Sequence, residues 1–170
     1  MGKKKTIQIT GALTSHIVTQ SSVSTSIAFS PNGACQRVIL EEIDKAKSTI
    51  EVLAYTINNV LILDALLQKA SKGLFVTIII DERANRNSKI NFEYLIKAGI
   101  GVYKCNYFNA MHVKSIVIDS EHVITGSYNF TENAQYSNLE NIILFRNNSG
   151  LAYWYSKLFA YCLSVSNLYN

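Results

Sequence analysis

Residues 74–81 read Leu-Phe-Val-Thr-Ile-Ile-Ile-Asp, a nearly continuous apolar run that ends in an acidic residue. A run of this kind is typical of a central strand in a sheet that is covered on both faces. A second run, residues 49–57, is apolar and rich in β-branched residues, and it predicts another buried strand. The fold class is best indicated by these two strands and by what lies between them.

Helical patterns lie between and around the two strands. Asn58 and Asn59 can cap a helix whose apolar residues recur at helical spacing, and Gly73 stands where such a helix ends. Alternation of strands and helices is the signature of an α/β protein. The other elements predicted in this part are a strand at Ile27–Phe29, a helix from Cys35 to Ala46, a helix from about Lys89 to Ala98 and a strand at Ile100–Lys104.

The C-terminal third has shorter spacing between its elements. It predicts two strands, His112–Ile118 and His122–Thr125, joined by a tight turn at Asp119-Ser120-Glu121. A short helical segment at 130–136, a strand at 141–145 and a final amphipathic helix from 151 to 165 follow. We therefore predict an α/β fold, with a mixed, largely parallel β-sheet flanked by helices on both faces.

Length and composition limit the class of protein. The chain has 170 residues, 48% of them hydrophobic and 16% charged, with a formal net charge of +4 and a single proline. The hydrophobic content and the single proline exclude disordered and collagen-like chains. The positive net charge suits a polyanionic partner without requiring one. We expect one domain over residues 26–170, preceded by an irregular, poorly ordered arm over residues 1–25 that is rich in Ser and Thr.

The terminus and the cysteines bear on the compartment. No run of eighteen apolar residues occurs, and the lysines at 3–5 are not followed by an apolar signal segment, so a cytoplasmic protein is favoured, with a processed exported form as the alternative. Membrane contact through a myristoylated Gly2 is a weaker alternative. The three cysteines lack the close spacing of a zinc site or disulfide framework, which predicts buried free thiols.

The residues with the clearest chemistry start at His112-Val113-Lys114. Residues two apart on a strand face the same side, so His112 and Lys114 project together. Gly126 then permits close backbone approach beside two neutral hydrogen-bonding residues, Ser127 and Asn129. An imidazole, a fixed cation and neutral donors can grip a phosphate diester and attack it without a metal ion.

The spacing of these residues resembles a known family pattern. His112-x-Lys114, Asp119 after four further residues and Gly126-Ser127 after six more resemble the HKD motif of the phospholipase D superfamily. The segments 129–131 and 138–141 downstream, and 29–33, 53–56 and 80–85 upstream, are similar to its short bacterial endonuclease branch. The resemblance covers about residues 26 to 165.

The resemblance implies the phospholipase D/nuclease fold and a role for each motif residue. His112 would be the nucleophile in one copy of the chain and the general acid in the other. Lys114 and Asn129 would bind the phosphate, Ser127 would donate a supporting hydrogen bond, and Glu140 would orient the imidazole. Asp119 and Gly126 would be structural, and no metal or other cofactor is implied.

The resemblance also implies an assembly, because members with two motifs build one site from both. This chain has one motif, since His16 and His122 lack a lysine two residues on and are expected to be structural. A symmetric homodimer with a shared active site would complete the set. The aromatic residues crowded over 153–161 are expected to pack in the core and dimer interface rather than stack on bases.

We predict a metal-independent phosphodiesterase, specifically a non-specific endonuclease acting on DNA, with RNA left open. The alternatives are a phospholipase D or cardiolipin hydrolase that uses the same residues, and a catalytically idle nucleic-acid-binding domain. The basic residues Arg83, Arg86, Lys89 and Lys104 could line a nucleic-acid backbone track, with solvated loop charge as an equal alternative.

Overall fold

The computed structural model describes residues 23–31 and 34–169, which contain one mixed sheet of eight strands. The order across the sheet is β1-β7-β6-β5-β2-β3-β4-β8. The strands are β1 (Ser24–Ser30), β2 (Thr49–Ala54), β3 (Phe75–Asp81), β4 (Gly101–Cys105), β5 (Lys114–Ile118), β6 (His122–Gly126), β7 (Glu140–Arg146) and β8 (Ser166–Leu168).

Helices cover both faces of the sheet, as predicted. Along β2, Val52 packs into the cluster that contains the buried residues of α1 and α2, whereas the next residue, Leu53, packs against Phe159 and Cys162 of α5. This alternation follows from the opposite directions of neighbouring side chains on a strand. The helices are α1 (Ala34–Lys45), α2 (Val60–Ser71), α3 (Glu93–Lys97), α4 (Glu132–Tyr136) and α5 (Ser149–Ser164).

The prediction of a largely parallel sheet is wrong. Parallel pairing joins only β2 to β3 and β3 to β4, and the other five neighbouring pairs are antiparallel. Asp119 and Ser120 both have positive φ, at 54° and 56°, in the tight turn between β5 and β6. Strands joined by such a turn must run antiparallel, whereas parallel neighbours need a crossover helix.

Several predicted boundaries also shift. The third helix spans Glu93–Lys97 rather than the predicted 89–98, β2 ends at Ala54 rather than at 57, and β8 was not foreseen. Ser24 and Thr25, predicted in the arm, already pair with β7, while residues 1–22 of that arm lie outside the described residues. Within these ranges, no helix is long and apolar enough to cross a bilayer.

The sheet topology brings the ends of several strands to one edge. Ala54 at the carboxyl end of β2 pairs with Lys114 at the amino end of β5, and Gly126 at the end of β6 pairs with Ile142 near the start of β7. We call this the site edge. Asp119 lies at the opposite edge, where the turn between β5 and β6 is found.

Candidate active site

Lys114 presents a buried positive charge at the site edge. It is only 6% exposed, and its Nζ donates to the carbonyl oxygen of His112 at 2.8 Å. Burial lowers the pKa of the Lys114 ammonium from its ordinary value, although the Glu140 carboxylate partly opposes this. A cation held in a dry position interacts with an anion more strongly than one in water does.

His112 is exposed and precedes β5 by two residues. Its imidazole lies against the ring of Tyr55, with centroids 4.4 Å apart and an angle of 61° between the planes. The backbone around it is held from two neighbouring strands: Met111 N–H donates to Asp81 Oδ2 at 2.8 Å, and Tyr55 N–H donates to the Val113 carbonyl oxygen at 3.1 Å. The histidine therefore projects from a firmly held segment.

Gly126 allows two strands to approach closely. A Cβ at this position would stand 2.1 Å from the carbonyl oxygen of Asn141, which is far inside any contact distance. The same oxygen accepts hydrogen bonds from the N–H groups of Ser127 and Tyr128, at 3.1 and 3.3 Å. This confirms the prediction of a close backbone approach at Gly126.

Ser127 and Glu140 are joined directly. Ser127 Oγ donates to Glu140 Oε2 at 2.6 Å, and Asn138 Nδ2 donates to Oε1 at 3.0 Å. Both carboxylate oxygens are therefore engaged, and in the described part of the chain no hydrogen bond joins Glu140 to His112. The role of Glu140 in orienting the imidazole stays a prediction, whereas its tie to Ser127 is a feature of the fold.

Asn129 has an unusual buried acceptor. Its Oδ1 is buried and, among the described residues, finds no hydrogen-bond donor. A buried unpaired acceptor costs about 1–3 kcal/mol, so this amide lowers the free energy of unfolding. Such a cost is typical of a side chain retained for function rather than for stability.

Asp119 has a structural position at the other edge of the sheet. Its carboxylate accepts hydrogen bonds from the N–H groups of Lys47, Ser48 and Thr49, at 2.8 to 3.0 Å, and from the Ser48 hydroxyl. Burial by itself raises the pKa of the Asp119 carboxyl, but these hydrogen bonds outweigh that effect and the pKa lies below its ordinary value. Asp119 thus ties the β5–β6 turn to the segment before β2.

We expect Asp119→Asn to lower the free energy of unfolding by about 2 kcal/mol at pH 7, because an amide presents an N–H group to a backbone donor. A carboxylate with a lowered pKa stabilises the fold above its unfolded pKa of about 3.9, and that contribution is lost as the pH falls through the folded pKa. The deficit of the variant should therefore shrink toward about pH 2. Urea unfolding of both proteins across this range measures it.

Glu121→Gln is the matched control for Asp119→Asn, since Glu121 lies in the same turn and is exposed. Within the described ranges its carboxylate has one charged neighbour, the His122 imidazole at 3.9 Å. This control should unfold within about 0.5 kcal/mol of the wild type. An equal loss in the two variants would show that turn charge, rather than the hydrogen bonds of Asp119, stabilises this edge.

The four predicted basic residues do not have the same surroundings. Arg83 donates to the carbonyl oxygens of Phe108 and Asn109, at 3.0 and 2.9 Å, and so anchors the loop before His112. Lys104 Nζ lies 4.8 Å from the centroid of the Tyr169 ring. Arg86 and Lys89 are exposed on the loop after β3. The structure therefore assigns intramolecular contacts to two of the four.

Sequence reasoning gave no site role to Tyr55, Asp81 or Asn85. Tyr55 follows β2 and Asp81 ends β3, so both lie where strands reach the site edge. Polar residues that end buried strands in an α/β sheet are frequently part of its binding site, and this was the available signal. No group of three His, Cys, Asp or Glu side chains stands at metal-binding distances in residues 23–31 and 34–169.

Comparisons with known proteins identify relatives of this chain. Residues 39–163 match the family described as "Cardiolipin synthase, PLD-like domain". A protein named phospholipase D from Rickettsia prowazekii is 37% identical over 145 residues, covering 82% of this chain and 69% of that protein. A mitochondrial cardiolipin hydrolase from Chlamydomonas reinhardtii is 31% identical over 103 residues, covering 61% of this chain and 46% of that protein.

A solved structure is also similar along nearly its whole length. The phospholipase D family member Nuc from Salmonella typhimurium superimposes with a TM-score of 0.83 and 30% sequence identity, covering 87% of this chain and 99% of that one. NucT from Helicobacter pylori, at 23% identity and a TM-score of 0.79, has the same fold. The described sheet and its helices are therefore those of a known fold.

Proposed function

The chain belongs to the phospholipase D-like superfamily of phosphodiesterases, and within it we propose that the protein is a nuclease that cleaves phosphodiester bonds without a metal ion. The observation that carries the proposal is that the start of β5 and the end of β6 are paired neighbours, so that His112, Lys114 and the Ser127–Asn129 segment lie at the same edge of the sheet. These groups supply a nucleophile, a buried cation and neutral hydrogen-bonding groups, which is a sufficient set for phosphoryl transfer.

The proposed reaction has two steps and needs two histidines. One His112 imidazole nitrogen attacks phosphorus, so that a P–N bond forms while the P–O bond to the leaving oxygen breaks. The partner's His112, as imidazolium, gives its proton to that oxygen. Water then attacks phosphorus and gives its proton to the now neutral imidazole, and the P–N bond breaks with its electron pair returning to the first histidine.

A homodimer is part of the proposal because each chain has one His112 in an HKD pattern. A two-fold axis would bring the same surface of two copies together and supply both histidines to a shared site. Sedimentation velocity across a dilution series, with activity measured at each concentration, tests this. Activity should follow the dimer fraction, and a fully active monomer would contradict the two-histidine site.

Nucleic acid is the favoured substrate for two reasons. A cavity of about 190 Å³ starts at Thr56, the residue after Tyr55, and most of its lining residues carry amide or hydroxyl groups, Asn58 and Asn87 among them, which suits a sugar–phosphate chain better than an acyl chain. The net charge of +4 would double in a dimer, and Arg86 and Lys89 are exposed on the loop after β3, whose residues Asn87 and Ser88 line this cavity. Cations of this kind contact phosphates without selecting a sequence.

A phospholipid is the second candidate, and one observation favours it. Exposed large hydrophobic residues surround the site edge, at the end of β1, at the start of α2, after β4 and before β7. An apolar rim of this kind can meet a lipid surface, although it can equally be buried between two copies. These residues are Phe29, Val60, Leu61, Tyr107, Tyr136 and Leu139.

One parallel assay separates these functions. Plasmid DNA, RNA and cardiolipin vesicles are incubated with the protein in excess EDTA, and the His112→Ala variant serves as the background. Cleavage of nucleic acid alone supports the proposal, and release of phosphatidate alone supports the lipid enzyme. Nucleic-acid binding without turnover of any substrate would indicate an idle binding domain, and full inhibition by EDTA would contradict the metal-free reaction.

The lowered pKa of Lys114 predicts an alkaline limit to activity. Lys114 must be protonated to hold the phosphate, so binding weakens as the pH rises through its folded pKa, which burial sets below the ordinary lysine value. We expect KM for a phosphodiester to rise with pH on the alkaline limb of the pH profile, at a lower pH than the one at which the ammonium of a free lysine loses its proton. In Lys114→Arg, whose guanidinium stays charged, this KM rise should disappear, and an unchanged limb would assign the titration to another group.

A further inference from the structure

We propose that Tyr55 is a positioning residue that holds the His112 imidazole and the Lys114 ammonium in their working arrangement. The inference rests on the proposed phosphodiesterase function and deepens it. It assigns Tyr55 a role through its aromatic ring, and it names Asn85 as the residue that fixes Tyr55.

The ring of Tyr55 contacts both reactive side chains. The His112 imidazole lies 4.4 Å away, centroid to centroid, in an edge-on arrangement, and Lys114 Nζ lies 5.0 Å from the ring centroid. The two rings are thus in close aromatic contact, and the ammonium lies within the range of cation–π contacts. One rigid ring therefore sets the spacing between the nucleophile and the cation that would hold its target.

The backbone of Tyr55 is fixed on both sides. Its N–H donates to the Val113 carbonyl oxygen at 3.1 Å, which ties it to the residue between His112 and Lys114. Its own carbonyl oxygen accepts from Asn85 Nδ2 at 2.7 Å. The ring is thus attached to a backbone segment that is hydrogen-bonded to the residue before β5 and to Asn85.

Asn85 completes a closed set of contacts. The same Nδ2 also donates to the Asp81 carbonyl oxygen at 2.7 Å, and its Oδ1 accepts from Ile57 N–H at 3.3 Å. Asp81 in turn accepts from Met111 N–H, the residue before His112. These hydrogen bonds link the ends of β2 and β3 to the residues just before β5. Within this set of contacts, Tyr55 is the residue whose ring meets His112 and Lys114.

The phenol hydroxyl takes no part in these contacts: in the described ranges it makes no hydrogen bond, and both reactive side chains meet the ring itself. Phenylalanine should therefore replace Tyr55 with little loss, whereas a side chain without a ring should not. Because misplacing a reacting group costs rate more than binding, the loss should fall mainly on kcat.

The test compares Tyr55→Phe and Tyr55→Leu with the wild type on bis(p-nitrophenyl) phosphate and on plasmid DNA. We expect Tyr55→Phe to stay within about twofold of the wild-type kcat and Tyr55→Leu to fall on the order of 10- to 100-fold, with a smaller change in KM. Tyr55→Met, which fills similar volume with a flexible chain, should resemble Tyr55→Leu and serves if that variant unfolds. Urea unfolding checks that each variant is folded.

Phe75→Leu is the matched control. Phe75 is an exposed aromatic residue at the start of β3, where it pairs in register with Thr49 at the opposite edge of the sheet from Tyr55. This variant should keep full activity. Retention of kcat in Tyr55→Leu, or an equal loss in the Phe and Leu variants, would overturn the role given to the ring.

A second readout separates this inference from the proposed function. An NMR signal of the His112 ring protons, assigned by its loss in His112→Ala, should shift in Tyr55→Leu and stay close to its place in Tyr55→Phe. If the wild type cleaves no phosphodiester, the proposed function fails while this spectrum still tests the contact. An unmoved His112 signal in Tyr55→Leu overturns the inference even in an active enzyme.

Discussion

Replacement of His112 by alanine is expected to lower kcat for nucleic-acid cleavage on the order of 10⁴-fold or more, which reduces it to the background. In the proposed reaction the same residue supplies both the nucleophile and the general acid, so one substitution removes both from the shared site. Among the described residues the other histidine, His122, cannot replace it there, because it starts β6 at the opposite edge of the sheet and accepts a hydrogen bond from Asn147 N–H.

The fold should survive this substitution, since His112 is exposed and precedes the strand. Thermal unfolding of His112→Ala should therefore lie close to that of the wild type, which separates loss of chemistry from loss of structure. The matched control, His122→Ala, should keep its activity despite losing the hydrogen bond to Asn147. Unchanged cleavage by His112→Ala would contradict the assignment of the active site.

Gly126→Ala is expected to lower the free energy of unfolding by about 4 kcal/mol or more. The new Cβ would stand 2.1 Å from the Asn141 oxygen and 2.9 Å from the Asn141 carbon and the Ile142 Cα. All three are backbone atoms of the paired strand, so relief requires separation of β6 from β7 rather than rotation of a side chain. The Ser127 and Tyr128 hydrogen bonds to Asn141 would be lost with it.

Urea unfolding measures this effect, and Gly101→Ala is its control. Gly101 is also in a strand, but a Cβ there would meet its nearest atoms, in the Thr77 and Tyr103 side chains, at 3.3 Å. Side chains can yield by a few tenths of an ångström, so this variant should lose about 1 kcal/mol or less. A Gly126→Ala protein as stable as the Gly101→Ala control would contradict the close approach of β6 and β7.

The buried strands β2 and β3 were predictable because continuous apolar runs are a local signal. Asn59 accepts a hydrogen bond from Ile62 N–H, and Gly73 has a φ of 90° just past α2. The cap at the start of α2 and the end of that helix were therefore also predictable from the sequence. The direction of the strands after β4 was not predictable, because it depends on which strands pair with each other in the sheet. The turn at Asp119 and Ser120 was predicted, but its consequence for the parallel share of the sheet was not drawn.

The site was predictable where the sequence keeps its residues close together. His112 and Lys114 are two apart, and the Gly126–Asn129 segment is continuous, so spacing alone indicated which residues lie close together. Tyr55 is more than fifty residues from His112 along the chain, and only the pairing of β2 with β5 brings them into contact. Contacts of this kind are properties of the sheet register, which no local pattern encodes.

The covalent intermediate tests the central claim most directly. A labelled oligonucleotide is mixed with the protein in excess EDTA, quenched during turnover and digested under alkaline conditions that preserve phosphohistidine, and the labelled peptide is sequenced by mass spectrometry. The account predicts a nucleotidyl phosphate on His112, formed and lost at rates that match turnover, and no such peptide from His112→Ala. Turnover without any adduct, or with the label on another residue, would contradict it.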